Sequence, residues 1–247
     1  LDELDPDSAG RAGKYLKSQL HGKAAIIDFL SLLYAAMLLQ TSAGLDLFED
    51  VDASWREAVA ETLEGFRRDD GGYARTHEGG SGSTYNSFLV VLCQQLIAWP
   101  VNQPERLIEF VKSRQREDGG FVEIPAMRRS GSNPTCAAVA LLGILGALDD
   151  DVTDGAVDYL ADRQSHEGGL TANTLIPVAD VLSTFTGMLT LADLNALDEI
   201  NADAARKFLE GMQRPEGGFR GAILDDGSDA EYTFYGLGGM ALLAQRD

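Results

Sequence analysis

Four glycine pairs, Gly71-Gly72, Gly119-Gly120, Gly168-Gly169 and Gly217-Gly218, recur at intervals of 48, 49 and 49 residues. Each has the same neighbours. An acid precedes the pair (Asp70, Asp118, Glu167, Glu216), and a large apolar or aromatic residue follows it (Tyr73, Phe121, Leu170, Phe219). Gln stands four before the first glycine in three copies (Gln115, Gln164, Gln213), and Arg67 stands there in the first. A period near 50 marks stacked supersecondary units, each unable to bury its apolar face alone.

Two kinds of helix are expected within each unit. The first is amphipathic, as in PERLIEFVKSRQ, where Leu107, Phe110 and Val111 follow the three-and-four spacing of one apolar stripe. The second, as in PTCAAVALLGILGAL, is apolar nearly all round and is expected to be buried on most sides. Two concentric layers satisfy the alternation, with amphipathic helices outside and apolar helices inside. The N-terminal stretches add a similar pair without Gly-Gly. The expected fold is therefore all-α, an α/α toroid of about five helical hairpins with its inner helices parallel, forming one domain over residues 1–247. Gly-Gly is expected to end each outer helix, the aromatic to plug the wall, and Gln to satisfy loop backbone. Asn133 with Pro134, and Ser228 with Glu231, have the spacing of helix N-caps.

A net charge of −19 argues against binding nucleic acid or anionic lipid by electrostatics. Cys93 and Cys136 sit in apolar helical stretches, as small buried hydrophobes do in a reducing compartment, so a cytoplasmic location is expected. The apolar run from Ala24 carries Asp28 and is shorter than a membrane span needs. The three histidines (His21, His77, His166) are not spaced with cysteine as a metal site requires. There is no Walker A loop, dinucleotide fingerprint or nucleophile elbow.

The Gln-x-x-x-Gly-Gly-Phe punctuation resembles the prenyltransferase and squalene-cyclase repeat over roughly residues 53–247. SDAEYTFYGLGGMALL and VADVLSTF are similar to the last inner helices of protein prenyltransferase β subunits. The resemblance implies an apolar central funnel holding an isoprenoid chain, with its diphosphate near the inner-helix N-termini. It also implies zinc, held by an Asp-x-Cys and a later His. Here those motifs align as Asp180-Val181-Leu182 and Asp229-Ala230-Glu231-Tyr232-Thr233, so no zinc or other cofactor is expected. LDDDVTD, at 148–154, lacks the cyclase Asp-x-Asp-Asp pattern and reads as a capping segment.

Parallel inner helices point their N-termini at one mouth and favour an anion there. With arginines nearby, this predicts an electropositive rim. The candidate ligand-binding arginines are Arg75, Arg128, Arg129 and Arg220, and the candidate cavity aromatics are Tyr85, Phe88, Phe185, Phe234 and Tyr235. Any one of these also fits a plain packing or solvated role. Gly143, Gly146, Gly187 and Gly236 are candidates for shaping the cavity. Asp180 and Tyr232 are the candidate catalytic pair should the chain be an enzyme. The expected partner is an isoprenoid or lipid-like small molecule, bound for zinc-independent prenyl transfer or for binding alone. A non-catalytic scaffold acting with a helical partner subunit, and an acid-catalysed terpenoid cyclase, are the alternatives.

Overall fold

The computed structural model describes residues 5–19, 25–52 and 54–244, so His21 and Ala24 lie outside the described residues. Ten α-helices are formed among them: α1 (Pro6–Gln19), α2 (Ile26–Ala43), α3 (Trp55–Glu64), α4 (Thr84–Leu96), α5 (Pro104–Lys112), α6 (Ser132–Ile144), α7 (Asp150–Ala161), α8 (Val181–Asp193), α9 (Ala202–Met212) and α10 (Ala230–Ala244). The contacts divide into two compact units, Leu1–Phe110 and Val111–Asp247.

In the first unit α2 packs against α1 and α4. In the second, α8 lies between α6 and α10, with α7 and α9 packed on these three. The amphipathic helices bury one stripe each, as α9 does with Ala205, Phe208, Leu209 and Met212. In the second unit that stripe joins a core including Leu160, Leu170, Val181, Met188, Leu191 and Leu243, all fully buried. Each such side chain contributes about 1.5–3 kcal/mol of transfer free energy. The inner helices are less enclosed than their composition predicts. Phe234 and Leu237 on α10 remain 63% and 59% exposed, because α8 and α9 cover only part of that helix.

The repeat junction differs from the expected helix cap. The outer helices stop at Glu64, Lys112, Ala161 and Met212, five to seven residues before the glycine pairs. Gly-Gly instead closes a tight loop whose ends meet in antiparallel bridges, Arg67 with Tyr73, Gln115 with Phe121, Gln164 with Leu170 and Gln213 with Phe219. The first glycine of each pair has positive φ, between 80° and 99°. Gln115 Nε2 donates to Gly119 O (3.2 Å), and Gln164 Nε2 to Gly168 O (2.8 Å) and Asn201 O (2.9 Å). Arg67 performs the same task, donating to Gly71 O (3.0 Å) and Asn102 O (2.6 Å). In three copies the acid ties the loop to the segment that leads into the next inner helix, whereas Glu216 pairs with Arg214. Asp70 accepts from Gly82 N–H (3.0 Å), Asp118 from Ser130 Oγ (2.7 Å), and Glu167 from Ala179 N–H (2.9 Å).

A second periodic contact has no counterpart in the sequence reading. The N–H of the plug residue donates to a hydroxyl fourteen residues on, Tyr73 to Ser87, Phe121 to Thr135 and Leu170 to Thr184 (each 2.9 Å), and Phe219 to Thr233 (3.2 Å). Each hydroxyl then donates to the carbonyl four residues before it. The plugs Tyr73, Phe121 and Leu170 are fully buried as a result.

Two caps shift by a residue or more. α6 begins at Ser132 behind Gly131, so Asn133 and Pro134 lie inside the first turn, where a missing N–H costs nothing. At α10 it is Asp229, not Ser228, whose Oδ1 accepts Tyr232 N–H (2.8 Å). Asp149 caps α7 through Val152 N–H (2.9 Å), in keeping with a capping role for the acidic run. α2, with 18 residues, is longer than the apolar run implied and by length and composition alone could cross a bilayer. Its Ile26, Leu33, Ala36 and Leu39 are buried.

Candidate functional site

Within the second unit the inner helices start along one edge. Ser132 N–H at the head of α6 donates to Ala172 O (2.9 Å), and Val181 N–H at the head of α8 donates to Gly221 O (2.8 Å). Bridges pair Thr171 with Ala179, Asp180 with Ala222, and Phe219 with Asp229. Three adjacent helices that begin on one stitched edge run parallel, as predicted, and bring the positive ends of their dipoles there, with the N–H groups of Ser132, Val181, Ser183 and Tyr232 already hydrogen-bonded.

Asp180 is the N-cap of α8. Its Oδ1 accepts Ser183 N–H (2.7 Å) and its Oδ2 accepts Ser183 Oγ–H (2.8 Å). Burial pushes its carboxyl above the usual 3.8 despite these bonds. The Tyr232 ring occupies the space that a side chain on Gly221 would need. Its phenol is pushed above 10, by burial first and then by the charges of Asp180, Glu231, Asp229 and Asp225. It is therefore a neutral hydrogen-bond donor. This side of the edge is acidic, which corrects the expectation of an electropositive rim.

Below the edge lies an aromatic cluster. Phe185 on α8 stacks on Tyr235 (5.6 Å between centroids) and meets Phe234 edge-on (5.8 Å). Tyr235 meets Tyr232 (6.5 Å) and donates to Glu231 Oε1 (3.1 Å). The Phe185 ring fits because α10 has Gly238 opposite it. Exposed Leu189 and Leu237 extend the apolar surface along both helices. Leu237 was not among the predicted residues, although it lies three after Phe234 and shares its face.

The remaining candidates are dispersed. Tyr85 and Phe88 are half-buried on α4 in the first unit, where Arg75 is exposed. Arg128 and Arg129 are exposed in the loop that precedes α6. Arg220 does not point a free guanidinium at the edge. It donates to Gly211 O (3.1 Å) and Ile223 O (3.2 Å), fastening its loop to the end of α9. The glycines are structural. Gly187 and Gly236 make room for Leu170 and Phe219, Gly143 abuts Leu148, and Gly146 sits in a positive-φ turn. His77 stacks on Phe66 (4.0 Å) and His166 is exposed. Both cysteines are buried free thiols, pushed by burial to about 12 at Cys93 and about 11 at Cys136, far from the reactive range.

The residues do not fit the zinc that the resemblance implies. Leu182 has no ligand atom, and Asp180 uses both oxygens on Ser183. Among the described residues no three His, Cys, Asp or Glu side chains converge as a metal site. The loops before α6, α8 and α10 carry exposed apolar side chains instead, Met127, Leu175 with Ile176, and Ile223 with Leu224.

The family model described as "Prenyltransferase alpha-alpha toroid domain" matches residues 11–246. No curated protein sequence matches the chain. Among solved structures, protein geranylgeranyltransferase-I of Candida albicans complexed with GGPP is similar with a TM-score of 0.80 at 15% identity, covering 97% of this chain and 79% of that one. The type II terpene cyclase MstE from Scytonema is similar in its apo form, with a TM-score of 0.62 at 16% identity over 97% of this chain and 81% of that one. Its complex with geranylgeranyl dihydroxybenzoate as substrate gives 0.60 at 15% identity, over 97% and 81%.

Proposed function

The chain belongs to the prenyltransferase alpha-alpha toroid domain family, and on that premise we propose that it binds an isoprenoid diphosphate, or a lipid of similar shape, on the apolar face of α8 and α10. The observation that carries this is the aromatic cluster of Phe185, Phe234 and Tyr235, left open beside the heads of three parallel helices. Geranylgeranyl compounds are bound by the two similar proteins named above. An isoprenoid chain offers methyl groups and double bonds, which pack well on aromatic rings. Its anionic head belongs toward the α6 side, near Arg128 and Arg129, because the Tyr232 side is acidic. A single domain over both units is part of this proposal.

The test is isothermal titration with geranylgeranyl and farnesyl diphosphate, the parent alcohols and inorganic diphosphate. The expected order of affinity is prenyl diphosphate, then alcohol, then inorganic diphosphate. Replacing both Arg128 and Arg129 by Ala should remove the advantage of diphosphate over alcohol. No heat and no thermal shift with any prenyl compound would refute the reading and leave the scaffold alternative.

A second reading, acid-initiated cyclisation, is favoured by the raised carboxyl of Asp180 beside an aromatic cluster suited to stabilising a carbocation. Asp180→Asn should then abolish turnover of a polyprenyl substrate while leaving binding intact.

A further inference from the structure

We propose that a cavity in the first unit, beside the C-terminal end of α4, binds a positively charged organic group, an ammonium or guanidinium on a flexible stem. The cavity holds about 540 Å³, and Glu57, Glu61, Glu64, Gln94, Trp99 and Asn102 are among its lining residues. That volume suits a ligand of modest size.

Gln94 carries the argument. It is only 1% exposed, yet its Oε1 has no hydrogen-bond partner. Leaving a buried acceptor unpaired is unfavourable, and few native groups do so. The nearby Tyr73 hydroxyl cannot serve Gln94 Oε1, because it donates its hydrogen to Glu64 Oε1 (2.5 Å) and its oxygen accepts from Arg67. The Gln94 amide oxygen therefore needs another donor.

The surroundings specify what kind of donor. Glu64 is already satisfied by Arg67 (2.8 Å) and Asn102 (3.2 Å). Glu57 and Glu61 stand one turn apart on α3, both exposed and without an ion pair among the described residues. The wall thus combines a buried neutral acceptor with two uncompensated carboxylates, and Trp99 adds an aromatic surface on which a cation is stabilised. Such a wall suits a group that donates in several directions and accepts in none, as ammonium and guanidinium do. The carboxylates are not gathered as metal ligands, which favours a spread-out organic cation.

The experiment is isothermal titration of the full chain with agmatine and spermidine as free amines, and with capped lysine and arginine amides as chain-borne forms. Tryptophan fluorescence of a Trp55→Phe variant, in which Trp99 is the remaining tryptophan, provides a second readout. Binding by at least one set is expected. It should weaken about tenfold or more in the Glu57→Gln, Glu61→Gln double variant, whose exposed positions keep the fold intact. It should also weaken between about 20 and about 150 mM salt. Preference for the free amines assigns the site to a small molecule, and preference for the capped amides assigns it to a partner's side chain. Failure of every amine to bind, or binding indifferent to the double variant, would overturn the proposal. Either result leaves the reading of α8 and α10 untouched.

Discussion

The buried hydroxyls at the plug contacts make the clearest residue-scale prediction. Thr184 is fully buried and its Oγ1 is the acceptor for Leu170 N–H. Thr184→Val keeps the shape and orphans that N–H, a loss of about 1–3 kcal/mol. Thr233→Val should cost less, because Thr233 is half-buried and its bond is longer at 3.2 Å. Thermal melts of the two variants check the order. These hydroxyls were legible in principle, since Ser87, Thr135, Thr184 and Thr233 keep the same 48- and 49-residue intervals as the glycines. They passed unnoticed because Ser replaces Thr in one copy and a lone hydroxyl in an apolar helix carries no pattern of its own. Asp180 gives a pH-dependent prediction. Its folded-state carboxyl titrates above 3.8, so its contribution is fully present below that value and is lost as pH rises through the folded value. Asp180→Asn caps equally well and carries no buried charge, so it should be at least as stable as the native chain at neutral pH. The difference should close below pH 3.8. Asp180→Ala removes the acceptor for Ser183 N–H and should cost about 1 kcal/mol.

At the scale of the element, the Gly-Gly loops separate backbone strain from steric exclusion. Gly168 and Gly217 have φ of 98° and 99°, nearly the same conformation. A Cβ on Gly168 would lie 2.2 Å from Ala204 O, whereas one on Gly217 meets nothing within 4 Å. Gly217→Ala should therefore cost only the conformational penalty, about 1–2 kcal/mol. Gly168→Ala should cost roughly 1–3 kcal/mol more, because α9 must shift. Chemical denaturation of both variants measures the gap, and equal losses would mean that the loop does not seat against α9. The sequence marked these loops through their period, yet misplaced them as helix caps. Glycine serves both purposes, and the bridge from Gln to the plug residue is a pairing that no local propensity announces. The caps of α6 and α10 were misread for a related reason, as SDAE and GSNP each contain several residues able to cap.

For the whole molecule, the repeat period and the alternation of amphipathic with apolar helices made the helical architecture legible before any coordinates. Period reports stacking, and stacking is what a toroid repeats. The site was less legible. Phe185, Phe234 and Tyr235 were chosen as aromatics on inner helices and do come together. Arg220 was chosen by proximity in sequence and instead ties its loop to α9. Chain position cannot tell an arginine facing a ligand from one holding a loop, since both follow the glycine pair. The acidity around Tyr232 was likewise hidden, because Asp180 and Asp225 are 45 residues apart in sequence. The central claim is that the face built by α8 and α10 receives a prenyl chain. Crystals grown with geranylgeranyl diphosphate test it most directly. The account predicts continuous chain density against Phe185, Phe234 and Leu237 with the head group toward Arg128 and Arg129. Density lodged elsewhere, or a bare aromatic face at saturating ligand, would contradict it.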